Sequence, residues 1–329
     1  NDFLLGGVSN NIIINRFQPY GGGAGPIQLN NGNNISWAFL ASISDVMEDY
    51  RISGGIKPGI NFRDNEYFVS YDNFRKRIDW GLLYYRGAAS FTDNQLGANG
   101  RLFTNIYQGK IVYPLDRVRS FRFIPAFRFD RFVVQTNTGF PDGLLVPDAT
   151  LSYLNFRLEY VHDDVVNKAQ NIWNGLRYKV YGETIMQTKR ENAQPSQRTY
   201  NVGADFRYYY PIYRNFIWAG RAAVDASWGN QKLIYYLGGI DSWISPKFEN
   251  ANRPNPNVNY VYQTLAVNMR GYRQNMANGN NAMVINSEFR FPVFSTLFNK
   301  PINNALLRNF QLTQFIDLGT AWEGTFSGL

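Results

Sequence analysis

The amino-acid sequence predicts an all-β fold, a transmembrane antiparallel β-barrel, from three observations. Aromatic residues make up 16% of the 329 residues and charged residues only 18%, below the roughly 25% usual in soluble proteins. The mean hydropathy is −0.35, and no segment approaches the ~18–20 consecutive apolar residues of a spanning helix. Apolar and polar residues alternate along most of the chain, as expected where every second strand residue meets lipid.

The predicted strands have two chemically different faces. In the segment LSYLNFRLEYVHDD, for example, every second residue from Leu154 to Tyr160 is apolar. Many such segments are longer than the ~5–6 residues usual in soluble strands, and an apolar face rich in Phe and Tyr is typical of membrane barrels. The alternation predicts strands near residues 9–17, 34–44, 47–57, 65–73, 77–91, 101–114, 119–136, 149–162, 173–188, 198–211, 216–229, 281–294 and 309–320.

The number of predicted strands and the lengths of the loops indicate how the chain is organised. Thirteen is an odd number, whereas single-chain bacterial barrels have an even number of strands, so we expect closing strands to be absent from this chain; the alternative is a miscount. Short turns alternate with longer polar loops, which predicts turns at one end of the barrel and loops at the other. We divide the chain into a junction with a first strand at 1–30 and a barrel at 31–329, with a long inserted loop at about 230–280.

Composition excludes several classes of function. The chain has no Cys, which excludes a disulfide framework, a Cys-ligated metal and a thiol nucleophile. The net charge of +8 would suit nucleic acid, but Lys and Arg are scattered through the strands rather than gathered in a tail, so we predict no nucleic-acid partner. The first residues lack the regions of a signal peptide, and an exported chain of this kind is expected to be a mature form or a fragment.

The sequence contains no recognisable enzyme signature. His162, the only histidine, precedes Asp163 and Asp164, but a lone His without a second His or Cys is more often a solvated strand end than a metal ligand. No serine lies in a nucleophile elbow, and GGGAG (21–25) lacks the Lys and the strand–helix context of a phosphate loop. We therefore predict no catalytic residue, no metal and no cofactor.

The most specific feature is a loop that carries Arg270, Gly271 and Tyr272 directly before a predicted strand. The alternation of that strand places Glu288 on its polar, lumen-facing side, and the next strand does the same for Asp317. An arginine fork can bridge two such carboxylates, and glycine lets the backbone turn tightly. We therefore predict that Arg270 contacts both acids; the alternative is a surface arginine near two ordinary lumen-lining charges.

Four motifs in this region resemble those of the BamA/TamA superfamily of outer-membrane assembly and translocation proteins. YYLGGIDSW, which contains Leu237, Gly238 and Gly239, resembles the LGG lead into the family's sixth extracellular loop. MRGYRQN resembles that loop's (V/I)RG(F/Y) motif, INSEFRFPVF the EFRxP pattern of the following strand, and FIDLGTAWEG the FxDxG…W pattern of the next strand. The match covers about 90 residues, from 235 to 324, in the family's order.

The resemblance implies a sixteen-stranded barrel in the full protein, with the last strands absent from this chain, and a loop arginine, here Arg270, that folds into the lumen toward Glu288 and Asp317. It implies a bacterial outer-membrane protein involved in membrane insertion or translocation of proteins. Its partners would be outer-membrane lipid and lipopolysaccharide, client or exported polypeptides, and periplasmic or lipoprotein subunits. The alternative is a passive outer-membrane channel or the membrane anchor of a larger cell-envelope complex.

The sequence departs from the family pattern in two ways. About thirty residues, including 244–267, separate the LGG motif from the arginine, where the family has almost none, and we expect them to lie outside the pore or to cap it. The family's periplasmic POTRA domains are not in this chain. The segment WAFLASISDVMEDYRISGG (37–55) resembles barrels of Bacteroidetes-type proteins that carry a propeller upstream.

Overall fold

The computed structural model describes residues 3–13, 36–58, 65–93, 98–135, 145, 147–188, 197–239, 249, 251–255, 257–298 and 302–324. Its main feature is a 14-stranded antiparallel sheet, which we call the wall. Thirteen wall strands pair with one another in chain order, and a further short strand pairs with one of these thirteen. A second, three-stranded sheet packs against one face of the wall. The prediction of an all-β fold is therefore confirmed.

The wall consists of strands that are mostly longer than ten residues. Their bounds are β1 (Phe3–Ile13), β2 (Ser36–Asp45), β3 (Tyr50–Lys57), β4 (Glu66–Asn73), β5 (Asp79–Asp93), β6 (Ala98–Pro114), β7 (Arg119–Gln135), β8 (Ala149–Asp163), β9 (Val166–Ala169), β10 (Ile172–Gln187), β11 (Arg198–Tyr213), β12 (Phe216–Gly229), β16 (Asn281–Pro292) and β17 (Gln311–Trp322). The second sheet contains β13 (Lys232–Leu237), β14 (Tyr260–Leu265) and β15 (Ala277–Gly279).

The connections at the two ends of the wall differ in length. Residues 46–49, 115–118 and 214–215 join neighbouring strands at one end, which we call the short-turn end. At the opposite, long-loop end, residues 230–280 separate β12 from β16. The sequence predicted this difference between short turns at one end and longer loops at the other, which is typical of outer-membrane barrels with short periplasmic turns.

The two faces of the wall differ because successive side chains of a strand point to opposite sides. On β11, Asn201 and Asp205 are buried on the face that carries the second sheet, which we call the inner face. Val202 and Phe206 of the same strand are exposed on the outer face. Polar residues thus lie inside and apolar residues outside, the reverse of a soluble sheet.

Aromatic rings form two rows on the outer face, one near each end of the wall. Near the short-turn end Tyr208 packs against Trp218, with 6.4 Å between the ring centroids. Near the long-loop end Tyr200 packs against Trp228, with 6.3 Å between the centroids. The two tryptophans lie ten residues apart on β12, which at a rise of about 3.4 Å and a tilt of about 40° makes the band between them roughly 25 Å high. That height matches the lipid-facing band of outer-membrane barrels.

The second sheet, which we call the plug, lies on the inner face. β13 pairs in parallel with β14 and antiparallel with β15. Leu233, Tyr235 and Leu237 of β13 have no solvent exposure, and they belong to one apolar cluster with Ala223 of β12 and Val284 of β16. This cluster anchors the plug to the wall.

Two short helices, α1 (Val293–Leu297) and α2 (Ala305–Asn309), lie between β16 and β17 at the short-turn end. The side chain of Asn304 caps α2 by accepting from the Leu306 amide at 2.9 Å and from the Leu307 amide at 3.3 Å. Among the described residues, no helix has the length and apolar character needed to cross a membrane.

All thirteen predicted wall strands occur in the structure, and the largest error is in the first. β1 begins at Phe3, whereas alternation predicted residues 9–17. Its start is an apolar run followed by two glycines, and its register with β2 shifts between Leu5 and Gly7, which hides the alternation. Within the described ranges, β1 and β17 each pair on one side only. The count of sixteen strands and the division at residue 30 stay predictions.

Candidate functional site

The candidate site is the segment 268–276, which we call the arginine loop, together with its contacts on the inner face. β13 ends at Leu237, and the two glycines that follow run alongside the arginine loop. The Gly239 amide donates to the Tyr272 carbonyl at 3.0 Å, and the Met276 amide donates to the Leu237 carbonyl at 2.9 Å. The LGG motif and the arginine loop are therefore direct neighbours.

Three glycines of the site have positive φ angles: 114° at Gly238, 79° at Gly239 and 88° at Gly271. Residues with a Cβ rarely adopt this region. At Gly238 a Cβ would also collide with the carbonyl of Arg273 in the arginine loop. The glycine pair thus lets the end of β13 lie against the loop backbone, whereas at Gly271 only the turn itself requires glycine.

Arg270 binds two acids of the wall. Its Nε and one Nη donate to the carboxylate oxygens of Asp317 on β17 at 2.8 and 2.7 Å, and its backbone amide donates to the same carboxylate at 2.9 Å. The other Nη donates to Glu288 on β16. The Asp317 side chain is only 1% exposed. The structure thus places these three residues in direct contact through a buried, two-pronged ion pair.

The register of β16 and β17 explains why both acids reach one guanidinium. Glu288 lies opposite Phe315, and Asn286 lies opposite Asp317, so the acids are inward-facing residues of adjacent strands. The guanidinium carbon lies 3.8 Å from the centroid of the Phe315 ring, a cation–π contact. Arg290 also donates to Glu288 at 2.6 Å, so this acid joins two arginines.

These contacts stabilise the positive charge of Arg270. Burial alone lowers the pKa of Arg270, but its hydrogen bonds to Asp317 and Glu288 outweigh burial and hold the pKa above its ordinary value. A partly buried cation of this kind is costly to release, because removal of one partner leaves the other charge uncompensated. The arrangement is therefore suited to holding a loop against the wall.

Sequence reasoning did not single out Gly319, which lies two residues after Asp317 on the same face of β17. A Cβ at Gly319 would lie 2.8 Å from the sulfur of Met269 and 2.9 Å from a methyl group of Val284. Met269 is buried and directly precedes Arg270. Gly319 therefore leaves room for the arginine loop to approach the wall.

Replacing Gly319 by valine is expected to displace the arginine loop. The added side chain would overlap Met269, and overpacking of this kind typically costs about 1–3 kcal/mol. We expect faster hydrogen exchange in residues 268–276 of the full-length Gly319→Val variant. Gly182→Val is the matched control, since a Cβ at Gly182 on β10 meets no atom within 4 Å. Loop exchange equal to wild type in Gly319→Val would contradict this role of the glycine.

The inserted segment contacts the arginine loop through asparagine side chains. The Asn275 amide group donates to the carbonyls of Glu249 and Asn252 at 2.9 and 2.8 Å. Asn278 donates to the Asn252 carbonyl at 2.9 Å, and Arg273 forms an ion pair with Glu249 at 3.1 Å. The insertion is thus tied to the residues that follow Arg270.

The insertion also supplies β14, which pairs with β13 inside the plug. The insertion is predicted to lie outside the pore or to cap it; β14 widens the sheet that lies on the inner face, and the cap stays a prediction. The Ala266 amide continues this pairing by donating to the Tyr236 carbonyl at 3.0 Å. Residues 240–248 lie outside the described residues.

Tyr272 and His162, both noted in the sequence, have no side-chain contact with the Arg270 ion pairs among the described contacts. Tyr272 has a 44% exposed side chain and joins the site through its backbone carbonyl. His162 lies at the end of β8, with its Nε2 3.5 Å from Asp164 and its ring stacked on Tyr178 at 5.0 Å between centroids. In the part of the chain that the structure describes, no three side chains of the metal-binding types come together.

Comparison with known proteins bears on the fold. No protein-family model and no curated protein sequence matches the chain. The solved structure of BamA from Haemophilus ducreyi lacking POTRA domains 1-3 is similar, with a TM-score of 0.55 and 10% identity over 89% of this chain and 56% of that one. CdiB from Escherichia coli has a TM-score of 0.48 and 13% identity over 81% of this chain and 46% of that one.

The chain therefore spans little more than half of the BamA structure that it resembles. At 10% identity the likeness concerns the fold. The strand order, the two faces of the wall and this likeness agree on one conclusion: the chain has the fold of the BamA barrel.

Proposed function

We propose that the chain forms the wall of a bacterial outer-membrane barrel that takes part in insertion or translocation of proteins. The apolar band between two aromatic rows and the BamA fold support the membrane location. The wall would lie in the outer membrane of a Gram-negative bacterium, with its short-turn end toward the periplasm. Its proposed partners are outer-membrane lipid and lipopolysaccharide, client or exported polypeptides, and periplasmic or lipoprotein subunits.

The contacts of Arg270 are the observation that carries the proposal. One guanidinium binds β16 and β17 through Glu288 and Asp317, and the backbone beside it is bonded to the end of the plug at Gly239. The plug is thus linked to the wall by the ion pairs of Arg270 as well as by its apolar cluster. The proposed role of Arg270 is structural rather than enzymatic: it would hold the arginine loop and the plug against the wall.

An Arg270→Ala variant of the full-length protein is expected to lose most of its capacity to insert or export a client polypeptide. Loss of a buried pair costs about 3–5 kcal/mol, enough to release the loop. We expect the yield of folded client barrel in vesicles, or of exported polypeptide in cells, to fall at least roughly tenfold. Arg270→Lys keeps the charge but loses the two-pronged geometry, so we expect an intermediate yield.

Arg221→Ala is the control for this experiment. Arg221 is an inward-facing arginine on β12 that binds Asp205 at 2.8 Å and contacts the wall rather than the arginine loop. Its loss should leave client handling near the wild-type level. Wild-type yields from Arg270→Ala would rule out the proposed role of Arg270, and equal losses from both variants would point to general damage to the wall.

The alternative function is a passive outer-membrane channel or the membrane anchor of a larger cell-envelope complex. The plug favours the anchor, because a sheet with Tyr235 fully buried lies on the inner face. An anchor would insert no client and would pass little current in single-channel recordings, with or without Arg270. The module upstream of the barrel separates the two: POTRA domains would favour assembly, and a propeller of the Bacteroidetes type would favour a specialised complex.

A further inference from the structure

Three arginines lie on the outer face of neighbouring strands, two of them near the long-loop end and Arg86 at the middle of β5. Arg86 on β5 shares its face with exposed Leu82, and Arg131 on β7 shares its face with exposed Phe127. Arg101 on β6 shares its face with exposed Tyr107. On each strand the outer face therefore changes from apolar to basic on the way to the long loops. Together we call these arginines the arginine triad.

The triad is built around one phenylalanine. The Phe103 ring lies 6.0 Å from the guanidinium carbon of Arg86 and 5.1 Å from that of Arg101, measured to the ring centroid. The register places Phe103 opposite Arg131 on the next strand. Cations stack favourably on aromatic rings, so Phe103 holds the guanidinium groups of Arg86 and Arg101 together, and the backbone of Arg131 lies beside it on the next strand.

A row of tyrosines supports the triad on the side of the apolar band. Tyr67, Tyr84 and Tyr107 lie on three adjacent strands, with successive ring centroids 6.3 and 5.0 Å apart. Arg86 donates to the Tyr67 hydroxyl at 3.1 Å. Tyrosines mark the boundary between lipid tails and headgroups, so the triad is placed at headgroup level.

The charge of the triad suits a phosphorylated headgroup. Arginine forks match phosphate oxygens in two-pronged hydrogen bonds, and Arg131 has a 53% exposed side chain although it also pairs with Asp148. Under the proposed membrane location, the long-loop end faces the outer leaflet. A lipid there can place phosphate groups on the arginines and acyl chains along the apolar residues beneath them.

We propose that Arg86, Arg101 and Arg131 form a binding site for the phosphate groups of lipid A, the phosphorylated glycolipid of the outer leaflet. The site rests on the proposed membrane location and is independent of any role in protein insertion. It lies on the opposite face of the wall from the arginine loop, so lipid A bound there would brace strands β5 to β7 from outside.

Titration of the full-length protein in detergent with diphosphorylated lipid A, followed by native mass spectrometry, tests the site. The triple variant with Arg86→Gln, Arg101→Gln and Arg131→Gln should bind lipid A roughly tenfold or more weakly. The control triple variant carries Arg51→Gln, Arg75→Gln and Arg77→Gln at the short-turn end, where Arg77 also stacks on an outer-face tyrosine. We expect the control to bind as wild type does.

Further probes identify the source of the phosphate. Phosphatidylglycerol and inorganic phosphate should compete poorly with lipid A, and lipid A with one phosphate should bind more weakly than the diphosphorylated form. If the triple variant fails to fold, each single variant and Arg86→Lys are measured instead, and each should weaken binding. Wild-type affinity in the folded variants, equal loss in the control, or equal competition by phosphatidylglycerol would overturn the site. Failure of the wild-type barrel to enter any bilayer would instead refute the proposed membrane location.

Discussion

Replacing Asp317 by alanine is expected to release the arginine loop from the wall. The change removes the two Asp317 oxygens that accept from the Arg270 guanidinium, one of which also accepts from the Arg270 amide, and leaves the guanidinium bound to Glu288. Breaking a buried pair by removing one partner costs about 3–5 kcal/mol, which corresponds to a factor of roughly a hundred or more in the population of the released loop. Hydrogen exchange of residues 268–276 in the full-length protein measures this population, and we expect it to be faster by that factor.

Asp205 provides a matched control on the same face of the wall. Its side chain is 4% exposed, and it binds Arg207 at 2.9 Å and Arg221 at 2.8 Å. Asp205→Ala therefore removes an equally buried acid whose partners lie on β11 and β12 instead of the arginine loop, and loop exchange should stay at the wild-type rate. Slow loop exchange in Asp317→Ala, or equal acceleration in both variants, would show that Asp317 does not hold the loop.

The wall strands could be predicted because each one separates two environments. On β8, Leu158 is 54% exposed on the outer face, whereas Asn155 is 5% exposed on the inner face. In a strand with such faces, apolar and polar residues alternate along the sequence. This alternation can be recognised without knowing which strands are its neighbours. The strand order of the wall follows the chain, even across residues 230–280, since consecutive strands usually pair with each other.

The plug could not be predicted in the same way. β13 is buried on both faces, and KLIYYL reads as a short apolar run that does not alternate. Periodicity carries no information where both sides of a strand meet the same environment. β14 is distant from β13 in the sequence, and the two strands pair with Tyr235 opposite Thr264. The helices α1 and α2 have five residues each, which is too few to establish a helical period.

Part of the candidate site followed from sequence, and part of it needed the structure. The alternation of β16 and β17 predicts that Glu288 and Asp317 face inward. An arginine in a nearby loop can form ion pairs with both acids. Phe315 and Gly319 share that inward face with Asp317. In the sequence, Phe315 only interrupts the polar alternation, and Gly319 only weakens the strand. Only the position of the loop shows that the ring lies against the guanidinium and that the glycine admits the loop.

Deleting residues 244–265 is expected to weaken the plug and raise the single-channel conductance of the barrel. The deletion removes β14, the parallel partner of β13, and so re-exposes apolar residues at about 1.5–3 kcal/mol for each large side chain. Because the Ala266 amide lies 3.0 Å from the Tyr236 carbonyl, a short glycine-serine linker after residue 243 can rejoin the chain. The wild-type protein should show low conductance, and the deletion variant should show larger and more frequent openings.

A deletion of residues 189–196, between β10 and β11, controls for the loss of a connection at the same end of the wall. β10 and β11 stay paired up to Met186 and Arg198 in that variant if a short glycine-serine linker closes the hairpin, so we expect it to keep the wild-type conductance. Combining the 244–265 deletion with Asp317→Ala should open the pore further, because the plug then loses both its edge strand and its bond to the wall. Conductance that stays low in the combined variant would mean that the plug is held by its apolar cluster alone, and β14 and Arg270 would then have no part in closing the barrel.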